Sequence, residues 1–189
     1  MAKQKKTKPN RLTREQWLQK SLDLLISGKH GKLRIDKITK DLNVTKGSFY
    51  WHFKSRSDFI QSLVEYWAVV FTENIGEEIA RRTTGAEDRL LSLMLLITEK
   101  NLAKYSLAVM DWGQHEPVAL KRIQEVMDYQ MDFVRSLFRE MGFTGDELEM
   151  RMQTMVFFHA MEGSRYSRLT KKERIRHIEL RHRMLISRQ

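Results

Sequence analysis

The chain has 189 residues, 41% of them hydrophobic, with a formal net charge of +10 and no cysteine. That length allows one large domain or two small ones. The missing cysteines exclude disulfides and thiolate metal sites, and two prolines and nine glycines are few for an all-β chain built on tight turns. Residues 1–56 carry 15 Lys/Arg against 4 Asp/Glu and residues 57–189 carry 19 against 20, so the whole positive excess lies in the first third. A polyanion is the natural partner for that segment. The longest apolar run, Leu90 to Ile97, falls well short of the about 20 residues of a membrane span. The basic start lacks the apolar region of a secretory signal. The expectation is a cytoplasmic protein without a membrane partner.

Residues 1–12 form a basic arm with Lys3, Lys5, Lys6, Lys8 and Arg11, expected to be disordered in isolation. Thr13 offers an N-cap, with Gln16 as its capping-box partner. Trp17, Leu18, Leu22 and Leu25 follow at helical spacing, and Gly28 and Gly31 end the helix. A second helix covers about 35–42, with Ile35, Ile38 and Leu42 on one face. Asn43 tolerates the left-handed backbone of a tight turn. Thr45 caps a third helix whose Phe49 and Phe53 share a face. Ser55 and Asp58 open a long fourth helix carrying Phe59, Ile60, Leu63, Val64, Trp67, Val70 and Phe71, with Gly76 and Gly85 beyond it.

Residues 90–97 are apolar on nearly every side, the pattern of a helix buried all round. A further helix covers 101–113 and stops before Pro117. Ile123 to Met141 trace a long amphipathic helix ended by Gly142. Another begins near Gly145, with Leu148, Met152, Met155, Val156, His159 and Gly163 on one face. The last follows Thr170, with Ile175, Ile178 and Leu185. The expectation is an all-α chain of about nine helices.

Helix, tight turn and helix across Ile35 to Phe53 outline a DNA-reading helix-turn-helix. Thr45 and Ser48 are short hydroxyl residues in the first turn of the second helix, and Gly47 leaves room for backbone to approach a groove floor. Lys46 reaches a guanine or a phosphate. Lys54 and Arg56 can neutralise backbone charge. Phe49 and Phe53 read as core. Trp51 can pack or stack, and the lysines of the arm either follow the minor groove or form a solvated tail.

The run Thr45-Lys46-Gly47-Ser48-Phe49-Tyr50-Trp51-His52-Phe53-Lys54-Ser55-Arg56 resembles the DNA-binding signature of the TetR-family transcriptional regulators. The likeness covers about residues 13–63; beyond that only length and helix count agree. Two positions depart from the family's pattern. Asn43 stands at a turn position often held by Gly. Arg34-Ile35-Asp36 begins the second helix where relatives commonly have a capping, phosphate-touching Thr. Asp36 would repel a phosphate, and Arg34 or Lys37 takes over that contact.

The resemblance implies an arm (1–12), an N-terminal three-helix helix-turn-helix domain (13–56) and a C-terminal helical ligand-binding and dimerisation domain (57–189). It also implies phosphate contacts from Tyr50 and His52. The expected DNA-contacting set is Arg34, Lys37, Thr45, Lys46, Gly47, Ser48, Tyr50, Trp51, His52, Lys54 and Arg56. The partners implied are a palindromic double-stranded DNA operator, a second copy of the chain and an unidentified small-molecule effector. For the effector, the Met- and aromatic-rich region and the fourth helix nominate Trp67, Phe71, Met94, Met110, Trp112, Met131 and Phe158. For a homodimer paired through its last two helices, Met155, His159, Ala160, Gly163, Ile175, Ile178 and Leu185 are nominated.

The function expected is a ligand-responsive, sequence-specific DNA-binding regulator, a repressor released by a small apolar or amphipathic molecule. The alternatives are a corepressor-dependent regulator or a ligand-independent DNA-binding protein. No nucleophile–base arrangement or phosphate loop suggests an enzyme, and no cofactor is implied. Asp111/His115 and His159/Glu162 could each share a helix face, but two ligands make no metal site.

Overall fold

The computed structural model describes residues 12–28, 33–82, 85–162 and 168–188. The basic arm up to Arg11, Gly31 and Gly163 lie outside the described residues. Nine helices run through the described residues: α1 (Arg14–Ile26), α2 (Ile35–Asp41), α3 (Lys46–His52), α4, α5 (Ala86–Glu99), α6 (Leu102–Gly113), α7 (Pro117–Glu140), α8 (Gly145–Glu162) and α9 (Lys171–Ile186). Helix α4 is one rod in three parts: α-helical Arg56–Ala68, a π turn Val69–Glu73, then α-helical Asn74–Arg82. Gly76 does not end this helix, contrary to the sequence expectation. It lies inside the last part, and tertiary packing of Ile75 and Ile79 outweighs its propensity cost of about 1 kcal/mol.

The helix starts follow the capping chemistry of the sequence. Gln16 N–H donates to Thr13 Oγ1 (3.1 Å) and Thr13 N–H donates to Gln16 Oε1 (2.9 Å). The same reciprocal box joins Thr170 and Glu173 at the start of α9. Between α2 and α3, Asn43 takes φ 52°. Val44 N–H donates to Thr39 O (2.9 Å) and Asn43 N–H to Lys40 O (3.2 Å), a Schellman stop that fixes the turn. Gly142, with φ +88°, closes α7 in the same way.

The first three helices share an aromatic core with the start of α4. Phe49 and Phe53 of α3 lie 5.7 and 6.4 Å from Trp17 of α1 and 5.4 and 5.0 Å from Phe59 of α4. The contacts with Trp17 and Phe59 are edge-to-face, which suits the ring quadrupoles. Leu33 and Ile38 complete the cluster, fully buried. Beyond it, α1 packs on α6 and α4, α4 packs along α7, and α5 is wedged among α9, α7, α6 and the end of α4. In α5, Leu90, Leu93, Met94 and Leu96 are buried and Leu91, Leu95 and Ile97 half-buried, as the all-round apolar pattern requires.

Replacing Asn43 by Gly keeps the left-handed turn and leaves stability within about 0.5 kcal/mol. Asn43→Ala, which cannot adopt it freely, costs about 1 kcal/mol. Urea unfolding of the two variants separates them.

Candidate nucleic-acid interface and internal cavity

Helix α3 turns one side to the core and the other to solvent. Phe49 and, just past the helix, Phe53 are buried; Thr45, Lys46, Gly47, Tyr50, Trp51 and Lys54 are exposed and Ser48 is half-buried. Trp51 is 74% exposed, a large ring with no core function. Thr45 Oγ1 accepts from Ser48 N–H (3.1 Å), so its hydroxyl proton faces outward for a further acceptor. Nothing in the chain demands glycine at 47, since an added Cβ would meet only Thr45 Oγ1, at 3.7 Å. What the missing side chain leaves open is the approach from outside.

Three nominated cations have partners in the chain. Arg34 Nε lies 3.3 Å from Asp36 Oδ1. Desolvation is the largest single influence and raises the Asp36 carboxyl, but the charge and hydrogen bond of Arg34, with a backbone hydrogen bond and the charge of Lys46, together hold it below its usual range. Both side chains are well exposed, so this pair is weak and opens readily. Lys37 beside it is exposed.

His52 is a correction. Its Nε2 lies 2.9 Å from Leu12 O, and since a carbonyl can only accept, Nε2 carries the proton. That nitrogen ties down the segment entering α1 and is not directed to phosphate.

Arg56 is a second correction. Its Nη1 donates to Glu116 Oε2 at 3.0 Å and its Nη2 to Glu116 Oε1, a two-pronged pair with a nearly buried carboxylate. Glu116 directly precedes α7, so Arg56 joins the start of α4 to the start of α7 instead of facing outward.

A second feature lies within the helical body. A partly open cavity of about 150 Å³ lies between the later part of α4, α5, α6, α7 and α8. Phe71, Met110 and Met131 line it, as nominated. Trp67, Met94 and Trp112 do not: they are core residues at 0, 0 and 2% exposure. Phe158 points away, 45% exposed, with the Arg181 guanidinium 3.6 Å over its ring. Sequence reasoning missed the polar lining of Thr72, Ser106 and Gln130. Gln130 Nε2 donates to Thr72 Oγ1 at 2.6 Å. The only signal for it was two polar residues on otherwise apolar helix faces.

The cavity is joined to the first helix by a short chain of contacts. Phe71 and Tyr105 stack with centroids 4.4 Å apart. The Tyr105 hydroxyl donates to Asp23 Oδ1 of α1 at 2.9 Å. Burial and that bond push the phenol up to about 12, so it remains a donor throughout the physiological range.

The nominated dimer face also needs correction. Met155, His159 and Ala160 line the cavity, Ile178 and Leu185 are buried within the chain, and Ile175 is half-buried. The exposed apolar residues of these helices are instead Met150, Phe157, Phe158 and Met161 of α8 and Leu180 and Met184 of α9, 45 to 74% exposed. The seam read from the sequence belongs to the protomer's own core, and the exposed apolar residues lie on other faces of the two helices. Among the described residues no group of three metal-ligating side chains comes together, and no helix is long and apolar enough to cross a membrane.

A helix-turn-helix module carried on an all-helical body with an internal cavity is the class of architecture these features define. No protein-family profile matches the sequence, and no curated relative does. Solved structures do match, over nearly the whole chain. A bacterial regulatory protein of the TetR family from Rhodococcus RHA1 is 14% identical, covering 92% of this chain and 97% of its own, with a TM-score of 0.66. AibR, solved with isovaleryl coenzyme A and operator DNA, is 15% identical over 92% and 98%, TM-score 0.67. The regulator FadR from Bacillus subtilis, solved with stearoyl-CoA, is 14% identical over 93% and 98%, TM-score 0.65. The chain has the fold of the TetR-family transcriptional regulators, as the signature resemblance implies.

Lys54→Ala lowers affinity for every duplex alike and flattens the log–log salt slope by about 0.9, and Tyr50→Phe weakens all duplexes uniformly. Changes at Lys46 or Ser48 alter which base pairs are preferred. Arg56→Ala leaves the salt slope unchanged and costs about 1–2 kcal/mol of stability, since it strands a buried carboxylate whose partner is part-exposed. Gel shifts at several salt concentrations, with urea unfolding alongside, check all four.

Proposed function

We propose that the chain is a ligand-responsive, sequence-specific DNA-binding transcriptional regulator of the cytoplasm, acting as a homodimer and as a repressor that a small apolar or amphipathic molecule releases from its operator. It is a binding protein and not an enzyme. Residues 13–56 are the DNA-binding domain, residues 57–189 the ligand-binding and dimerisation domain, and residues 1–12 a basic arm alongside the duplex.

The observation that carries this reading is the Phe71–Tyr105–Asp23 relay. One end forms cavity wall and the other is bonded to α1, which shares the Trp17–Phe49–Phe53 core with the recognition helix. Occupancy of the cavity changes the packing around Phe71, and α1 and α3 move with it. Coupling of about 1–3 kcal/mol is enough for release. The complexes of AibR with isovaleryl coenzyme A and operator DNA and of FadR with stearoyl-CoA support a paired DNA and small-molecule role on this fold.

DNA contact is proposed for Lys37, Thr45, Lys46, Gly47, Ser48, Tyr50, Trp51 and Lys54, with Arg34 once it leaves Asp36. Two copies meet through Met150 and Phe157 of α8 and Leu180 and Met184 of α9, an exposed apolar stripe. A dimer presents two recognition helices about one turn of DNA apart.

Selection from random duplexes should return a palindrome; a non-repeating site would overturn the dimeric reading. Phe157→Asp combined with Met184→Asp should sediment as a folded monomer and bind the selected duplex at least tenfold more weakly. Gly76→Leu is a built-in stand-in for ligand. A Cβ there meets nothing within 4 Å, and the residue lines the cavity. It should loosen the selected duplex five- to tenfold, and adding Tyr105→Phe should restore most of that loss.

A further inference from the structure

We infer that the cavity selects an uncharged molecule, a hydrocarbon body bearing one amide, ketone or hydroxyl group that engages Gln130, Thr72 and Ser106. This rests on the reading of the cavity as the effector site and names the chemistry of its ligand.

Three observations carry it. First, no Lys, Arg, Asp or Glu lies among the described lining residues, while most of the wall is aliphatic, aromatic or methionine. A charged group placed against that wall loses hydration with no charged lining residue to pair with. Second, the polar groups are gathered as a donor–acceptor set. Gln130 donates one N–H to Thr72 Oγ1 at 2.6 Å, which leaves the amide oxygen, its second N–H and the Thr72 hydroxyl proton for a ligand. Ser106 on α6 adds a further hydroxyl to the lining. A primary amide matches such a set by donating and accepting at once, and a ketone or alcohol matches part of it.

Third, the backbone at Thr72 is altered. Asn74 N–H bonds to Val69 O across the π turn, which adds one residue to the rod and rotates the downstream part by about 100° relative to Arg56–Ala68. π turns inside α-helices are frequent at functional sites. Here the turn supplies both Phe71 and Thr72 to the wall.

His159 is the one lining side chain that can take a proton. Its Nδ1 lies 3.0 Å from Met155 O and 3.5 Å from Arg181 Nη1, whose guanidinium also covers the outward Phe158 ring. A carboxylate ligand would have to reach that His159–Arg181 corner, away from Gln130 and Thr72. The space is about 150 Å³ and partly open to solvent, so a short hydrocarbon body fills it and the rest of a longer ligand projects outward.

The test is a matched eight-carbon series of octanamide, octan-2-one, octan-1-ol, octane, octanoate and octylammonium, titrated into the full chain by calorimetry and by thermal shift. Octanamide, octan-2-one and octan-1-ol should bind, with octanoate and octylammonium at least tenfold weaker. Gln130→Leu and Thr72→Val should each reduce the preference for octanamide over octane by about tenfold. The wild-type ranking stands on its own should either variant fail to fold. Equal or tighter binding of octanoate or octylammonium, or no binding of any member at millimolar concentration, overturns the inference. Binding of octanamide with no change in retention of the selected duplex overturns the regulatory reading and leaves the ligand chemistry intact.

Discussion

A single rod of helix, α4, runs from Arg56 at the foot of the recognition module to Arg82, and most of the molecule's organisation hangs on it. Its first turns contribute Phe59 to the aromatic core that orients α3. Its later part contributes Phe71 and Thr72 to the cavity. A helix transmits displacement along its axis because each turn is bonded to the next, and the Arg56–Ala68 part of α4 is packed against α7. The π turn at Val69–Glu73 is where that rigid ladder departs from regularity. It lies at the cavity wall, where a small change in packing can tilt one part of the rod against the other.

The junction between the DNA-facing module and the helical body is polar at several separated points. Tyr105 bonds Asp23 of α1, Tyr66 bonds Gln19 of α1 at 3.0 Å, and Arg56 grips Glu116. Polar junctions of this kind are specific in geometry and modest in net energy, about 0.5–1.5 kcal/mol for a neutral bond. That combination suits an interface that must hold one arrangement and still be displaced by a ligand worth a few kcal/mol. An apolar junction of the same area would resist the shift. The Tyr105 phenol keeps its proton across the physiological range, so the link responds to packing and not to pH.

The sequence made the local structure legible because caps and turns are short-range chemistry. The Thr13–Gln16 box, the helix start after Thr170, the left-handed Asn43 and the Gly142 stop all stand where single residues demanded them. The exposed face of α3 was legible for the same reason, since Phe49 and Phe53 fix which side is buried. What escaped was long-range. Glu116 is distant in sequence from Arg56, and no pattern near either residue marks the pairing. Leu12 meets His52 in the same way. The apolar residues of α8 and α9 were visible, but both sides of those helices carry them. Periodicity alone could not assign Met155 and Ile178 to the protomer's interior and Phe157 and Met184 to its surface. The cavity's polar corner was hidden for another reason: a π turn has no sequence signature of its own, and it determines where Thr72 points.

These corrections narrow the proposed contact surface in a physically consistent way. With the His52 ring nitrogen directed to Leu12 and the Arg56 guanidinium to Glu116, the nominated groups left exposed lie mostly along α3, with Arg34 and Lys37 at the start of α2 and Lys54 just past α3. A short recognition helix with so few base-reaching side chains discriminates only a few base pairs, because each well-made base contact contributes about 1–3 kcal/mol. Long-range charge and duplication must supply the remainder. The positive excess of residues 1–56 provides the first without sequence information. The apolar stripe on α8 and α9, on the body distant in sequence from the module, provides the surface for the second. On the proposed function, specificity is therefore a property of two copies held at a fixed spacing, and a cavity that alters the tilt of α4 would act on that spacing and leave the individual contacts as they are.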